Sequence, residues 1–252
     1  ASMLPDLERT QPELVLACAA NLVPLFGRSF PWAKVVSMTA AKDDPQLLDS
    51  VCAQIPIGSL GRLFRPDMTA FPDRPSFLIA DQDRASDLRA KYIREYGDRP
   101  LVGLSWHSGN AVTGGAQSLD LVDMAPGLGG ADATFIDLQY GDTAADRQEA
   151  GRSGLHVIED PDIDPLADLD GFAAQVAAMD LVITISNTTA HVAGALGVPC
   201  WTMLPSGVGQ NWYWFLDRDD SPWYPSLRLF RQVVPGKWTN VIEDVGAAFA
   251  AR

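Results

Sequence analysis

The sequence predicts an α/β fold built on mostly parallel, doubly wound sheets, and three observations predict it. Short apolar runs rich in β-branched residues alternate with helical stretches along the chain. Leu181–Pro205 reads as strand, tight polar turn, helix and strand. The same alternation restarts near residue 100, which suggests two lobes.

The elements follow in order. Leu14 to Ala19 and Lys34 to Met38 read as strands, with a helix from about Asn21 to Phe30 between them. Ile55 to Gly58 reads as a short strand, followed by a polar, proline-punctuated stretch through Arg74. Asp81 to Gly97 is a charged helix with apolar Leu88, Tyr92 and Ile93; Gly97 stops it and Pro100 follows. Leu101 to Trp106 is a strand, and a Gly-containing loop runs from Ser108 to Gly115. Leu119 to Leu128 looks helical, while Thr134–Leu138 and Leu155–Ile158 are strands. Asp168 or Asp170 caps a helix through Met179. Leu181 to Ile185 then has the length and composition of a buried parallel strand. Asn187, Thr188 and Thr189 are N-cap types, Ala190 to Leu196 is helical, and Gly197 is the stop with Pro199 beyond it. Cys200 to Leu204 is a strand. On this reading the first lobe is incomplete, with two strong strands and one weak one, fewer than a usual sheet. The lobes are expected at 1–97, including a linking helix over 82–97, and at 98–252.

Composition narrows the function. The 252 residues suffice for one large or two small domains. A net charge of −13 argues against a nucleic-acid-binding surface. It leaves phosphorylated small ligands open, since backbone amides hold phosphate without raising the charge. No apolar run is long enough to span a membrane, and no basic stretch followed by an apolar one marks a secretory signal. Cys18, Cys52 and Cys200 are isolated from one another, which fits reduced thiols in a cytoplasmic protein. No Cys-x-x-Cys or paired-histidine spacing indicates a metal.

The turn at Asn187–Thr189 is the first candidate site. Free N–H groups at a helix start, with the helix dipole behind them, bind anions. His191 lies on the first turn of that helix, in reach of the same ligand, as a candidate acid, base or hydrogen-bond donor; the plainer reading is a histidine satisfied by a nearby carbonyl. His107, Ser108, Gly109 and Asn110 follow the first strand of the second lobe, where α/β domains bind ligands. This loop is neither G-x-G-x-x-G nor a Walker loop. Gln139-Tyr140-Gly141 ends the next strand; it reads equally as a surface for a base or sugar and as a packing tyrosine beside a turn glycine. Glu159–Asp164 contains Asp-x-Asp, a pair on which some sugar-transferring enzymes hold a divalent metal. A solvated acidic loop before a helix is the favoured reading. Five of the seven tryptophans lie after residue 200. Trp212 and its neighbours Tyr213, Trp214 and Phe215, with Trp223 and Tyr224, suit either ligand stacking or a satellite core. No G-x-S-x-G elbow supports a serine hydrolase.

Four segments recur together in one known family: Val102-Gly-Leu-Ser-Trp-His-Ser-Gly-Asn110, Phe135-Ile-Asp-Leu-Gln-Tyr-Gly141, Thr188-Thr-Ala-His-Val-Ala-Gly-Ala-Leu-Gly-Val-Pro199 and Asp219-Asp-Ser-Pro-Trp-Tyr-Pro-Ser-Leu-Arg-Leu-Phe-Arg-Gln232. They resemble the glycosyltransferase portion of bacterial proteins that join tetratricopeptide repeats to a sugar-transfer domain. Those proteins are similar to heptosyltransferases and, more distantly, to the O-linked N-acetylglucosamine transferase group. The resemblance implies the GT-B fold: two Rossmann-like lobes, here with the N-terminal lobe incomplete, a nucleotide-sugar donor on the C-terminal lobe and an acceptor, a protein hydroxyl or a glycan, in the cleft. It implies no metal and no cofactor beyond the donor. By this carry-over Asn187–His191 hold donor phosphate, Ser108-Gly109-Asn110 line the cleft, and Gln139-Tyr140-Gly141 face the nucleotide.

Three departures accompany the resemblance. Relatives commonly carry Arg where His107 stands and a basic residue where Gln117 stands. They often have Asp-Thr where this chain has Ser186-Asn187. Each charge-assisted bond to phosphate is worth about 1.5–3 kcal/mol, so a diphosphate donor is expected to bind more weakly here. That points to a donor with a single phosphate, as in CMP-linked nonulosonic acids, or to a non-catalytic module that binds a nucleotide-sugar or a partner. The third departure is at the start: the family's first strand, glycine-rich turn and acidic residue are expected upstream of Leu4–Leu7, and the catalytic base with them.

Overall fold

The computed structural model describes residues 1–8 and 13–252. Two parallel sheets organise them. The first pairs β1 (Leu14–Cys18) with β2 (Ala33–Ser37), joined by helix α1 (Val23–Ser29). The second contains β3 (Leu101–Ser105), β4 (Thr134–Asp137), β5 (Val157–Ile158), β6 (Leu181–Ile185), β7 (Cys200–Leu204) and β8 (Leu227–Arg231). Its order is β5-β4-β3-β6-β7-β8, all parallel. This is the 3-2-1-4-5-6 order of dinucleotide-binding folds.

The central strands explain the register. β3 and β6 bury all five of their residues, as expected of parallel strands covered on both faces. Their side chains alternate between two cores. Val182 faces a core that also holds Leu4, Leu25, Phe30, Leu88 and Tyr92, so that core runs from the small sheet to the large one. Leu181, Ile183 and Ile185 face a second core with Trp106, Met203 and Val245.

Helix α2 (Gln82–Tyr96) connects the two halves. Asp81 caps it by accepting from the Arg84 N–H at 3.0 Å, and Gly97, at φ 94°, ends it. Its buried stripe of Ala85, Leu88 and Tyr92 packs on α4 (Leu169–Ala177). Polar ties lock the same contact: Arg89 bonds the Ala178 carbonyl and pairs with Asp180. Helix α3 (Ala144–Arg152) follows β4, α5 (Thr188–Leu196) follows β6, and α6 (Thr239–Ala250) covers the other face. Among the described residues no helix is long and apolar enough to cross a membrane.

One expected strand is absent. Around Ile55–Gly58 the chain is irregular and then forms a 3₁₀ turn over Ile57–Leu60. Pro56 has no N–H for a strand ladder, and Ile55 and Ile57 are exposed. The structure also adds α3, α6 and β8 to the elements read from the sequence.

Candidate functional site

β3 and β6 are neighbours in the sheet, yet the chain leaves them in opposite directions, towards β4 and towards β7. The crevice between their carboxyl ends is the topological switch point, the usual ligand position in such sheets. Ser105 is in register with Thr184, so the two strands deliver their loops at the same level.

The turn after β6 is built by Asn187. Its Oδ1 accepts from the Thr189 N–H at 3.0 Å and the Thr184 hydroxyl at 3.1 Å. This caps α5, which ends at Gly197 with φ 78°. The Asn187 amide donates across the crevice to Ser105 Oγ at 2.7 Å and to the His107 carbonyl at 3.5 Å. Ser105 in turn donates to Gln139 Oε1 at 2.9 Å. That oxygen also accepts from the Trp106 and His107 N–H groups, at 3.0 and 2.9 Å. One buried carbonyl thus serves three donors of one loop, and the Asn187–Ser105 bond brings in the third loop. Every group in this network is neutral. The N–H groups of Thr188 and Ala190, in the first turn of α5, have no acceptor within the helix.

The loop after β3 is tied down as well. Gly109 donates its N–H to the Tyr140 hydroxyl, and an added Cβ would sit 3.0 Å from that oxygen. Asn110 Oδ1 closes an Asx turn on the N–H groups of Val112 and Thr113, at 2.9 and 3.1 Å. Buried Ser108 donates to Gln117 Oε1 at 3.2 Å, and Gln117 Nε2 reaches the Gly209 carbonyl at 2.9 Å. Gln117 therefore joins the loop after β3 to the loop after β7. Gly141 turns the chain after β4 at φ 87°.

His191 stands in an aromatic sheaf. Trp214 stacks on its ring at 5.2 Å and 14°, and Tyr213 meets it edge-on at 5.2 Å. Its Nδ1 lies 3.0 Å from the Tyr224 hydroxyl. Burial pushes the imidazole pKa down to about 4, so the ring is neutral at physiological pH. Trp214 is itself buried, and its Nε1 donates to Ser186 Oγ at 2.7 Å, beside the Asn187 turn. Trp212, by contrast, is 77% exposed.

The structure therefore brings together His107–Asn110, Gln139–Gly141 and Asn187–His191. The aromatic cluster divides: Trp214, Tyr213 and Tyr224 pack around His191, and Trp212 faces solvent. Sequence reasoning missed Ser105, whose signal was a polar residue closing a fully buried strand. The acidic loop takes its structural role. Asp160 accepts from Lys91 at 2.9 Å and Tyr92 at 2.8 Å, Asp162 pairs with Lys91, and Asp164 caps the N–H groups of Leu166 and Ala167. Among the described residues no group of three or more His, Cys, Asp or Glu is gathered as metal ligands are. Asp137, below Gln139, accepts from the Gln139 N–H at 2.8 Å and pairs with Arg147 at 3.2 Å; burial raises its pKa to about 6.

E. coli ADP-heptose lipopolysaccharide heptosyltransferase II superposes with a TM-score of 0.62 at 12% identity, over 99% of this chain and 94% of that one. The fold is GT-B. A glycosyl transferase family 9 structure from Veillonella parvula matches 69% of this chain and 52% of its own, with a TM-score of 0.50 and 14% identity. In sequence, the chain is 32% identical over 262 residues to Protein FlbA of Caulobacter vibrioides, covering 98% of this chain. It spans 43% of that relative's length, less than half. No protein-family model matches the sequence.

Proposed function

We propose that this chain is the sugar-transferring portion of a glycosyltransferase, moving a sugar from a nucleotide-sugar to an acceptor hydroxyl without a metal. The observation that carries the reading is the Asn187 turn: free helix-start amides at the switch point of a GT-B sheet, braced by a neutral network. The N–H groups of Thr188 and Ala190 and the α5 dipole stabilise the leaving phosphate as its charge develops. His191 assists as a neutral donor. Gln139, Tyr140 and Gly141 face the nucleoside, and His107, Ser108, Gly109 and Asn110 line the acceptor side of the crevice. Exposed Trp212 offers a ring for stacking on a base or sugar.

The finer parts of the reading belong to the same proposal. Residues 1–97 serve as the acceptor-side lobe and 98–252 as the donor lobe. The protein works in the cytoplasm, within a longer chain carrying tetratricopeptide repeats, and glycosylates a protein or glycan. Support comes from the four sequence segments and from a relative more than twice as long as the matched region. The side chains at positions 107 and 117 carry no fixed positive charge, and Gln117 is spent as a loop tie, which favours a donor with one phosphate.

The test is a thermal-shift screen against UDP-, ADP-, GDP- and CMP-sugars, since a ligand bound to the native state raises stability as RT ln(1 + [L]/Kd). A CMP-sugar is expected to raise Tm and the diphosphate donors to do so less. Binding with no transfer to any hydroxyl acceptor would instead mark a non-catalytic module. No shift with any of the four would overturn the donor site.

A further inference from the structure

We infer that Tyr224 is a positioning residue that holds His191 as the neutral tautomer with its proton on Nε2. One contact and two constraints of hydrogen-bond chemistry carry this. The Tyr224 hydroxyl meets Nδ1 of His191 at 3.0 Å. A desolvated phenol has one proton to place, and a buried donor left without an acceptor is costly. If Nδ1 carried the proton, imidazole and phenol would both offer donors and the tyrosine proton would be stranded. With the phenol donating, Nδ1 is the acceptor and the single imidazole proton sits on Nε2.

The surroundings fix the ring in this state. Trp214 covers one face, stacked at 14°, and is anchored through Nε1 on Ser186 Oγ. Tyr213 closes from the side at 60°. Tyr224 reaches its place because residue 194, one turn along α5, is glycine: a Cβ there would lie 2.5 Å from Tyr224 Cγ. The phenol stays protonated because burial raises its pKa. Nε2 is the ring nitrogen that Tyr224 leaves free. On the proposed reading of the turn after β6, on which this part rests, Nε2–H is the group offered to donor phosphate. Tyr224 comes from a segment 33 residues away, so the 219–232 stretch contributes to the donor site through His191.

The experiment has two arms. Long-range proton–nitrogen correlation spectra of ¹⁵N-labelled protein, with His191 assigned against His191→Gln, read the tautomer directly. A bare Nδ1 and a protonated Nε2 are expected, and a protonated Nδ1 would overturn the inference. In Tyr224→Phe, which keeps the ring packing, the preference is expected to collapse to a tautomer mixture. The second arm titrates CMP and UDP calorimetrically into a double-mutant cycle. Tyr224→Phe is expected to weaken the bound nucleotide about twofold, because an even tautomer mixture leaves about half of the rings with the proton on Nε2. It is expected to have no further effect on top of His191→Gln. An equal loss in both backgrounds would show that Tyr224 only supports the fold. If neither nucleotide binds wild-type protein, the donor-site reading falls, while the tautomer spectrum still decides the inference. If Tyr224→Phe does not fold, the wild-type spectrum alone decides it.

Discussion

At His191 a single residue ties the site to the stability of the whole protein. The folded imidazole takes up its proton near pH 4, whereas an unfolded histidine does so near pH 6.5. Between those values the unfolded chain binds more protons, so stability from this group is complete above about pH 6.5 and is lost as pH falls towards 4. The shift is worth on the order of 3 kcal/mol. Urea unfolding of wild type and His191→Gln at about pH 4.5 and about pH 7.5 checks it. The wild type is expected to lose more stability on acidification than the variant does, and equal losses would refute the burial argument. The same scale shows what sequence can and cannot give. Asn187 was legible because N-cap chemistry is local. Its second role, donating to Ser105 and His107, joins residues 80 or more positions apart and was invisible. Tyr224 and Trp214 were legible as aromatics, but their meeting on His191 was not.

Helix α5 shows how an element trades intrinsic propensity for a contact. Gly194 lies inside the helix, where alanine would add about 1 kcal/mol of helix stability. The glycine is there because the Tyr224 ring packs on the helix backbone. A methyl group at 2.5–2.7 Å from three Tyr224 side-chain atoms forces the tyrosine outward, and such overpacking costs about 1–3 kcal/mol. Gly194→Ala is therefore expected to lower stability by up to about 2 kcal/mol in denaturant unfolding. A stabilised variant would mean that the propensity term wins. At this scale the sequence was legible where caps and stops were written locally, as at Asp81, Gly97, Asn187 and Gly197. It misled at Ile55–Gly58, where the apolar residues outweighed the proline between them. Helix α6 carried a readable signal in Val241, Val245 and Phe249, spaced four apart. Helix α3 did not: Ala150 is its one buried residue. β8 is an edge strand in which Arg228 and Arg231, three positions apart and on opposite faces, blur its apolar pattern.

Across the whole molecule, the large sheet depends on the residues before it. The core under α4 and α5 is completed by Leu25, Phe30, Leu78, Leu88 and Tyr92, all from the first 97 residues. Arg28 pairs with Asp170, and Lys91 with Asp160, across the same boundary. A fragment of residues 98–252 would expose that apolar face. It is expected to unfold at lower temperature than the full chain and to bind a hydrophobic dye. A fragment with the full chain's Tm would contradict the shared core. The restart near residue 100 was legible, because α2 and the return to strand pattern are local features. The core that crosses the restart was not, since it arises from contacts between distant segments.

The central claim is that a nucleotide-sugar phosphate rests on the helix start after β6. Backbone amide spectra recorded during a titration with a CMP-sugar test it most directly. The account expects the Thr188 and Ala190 amides to move first and furthest, with Trp106 and His107 following through the shared network. Shifts confined to other parts of the sheet, with those two amides unmoved, would contradict it.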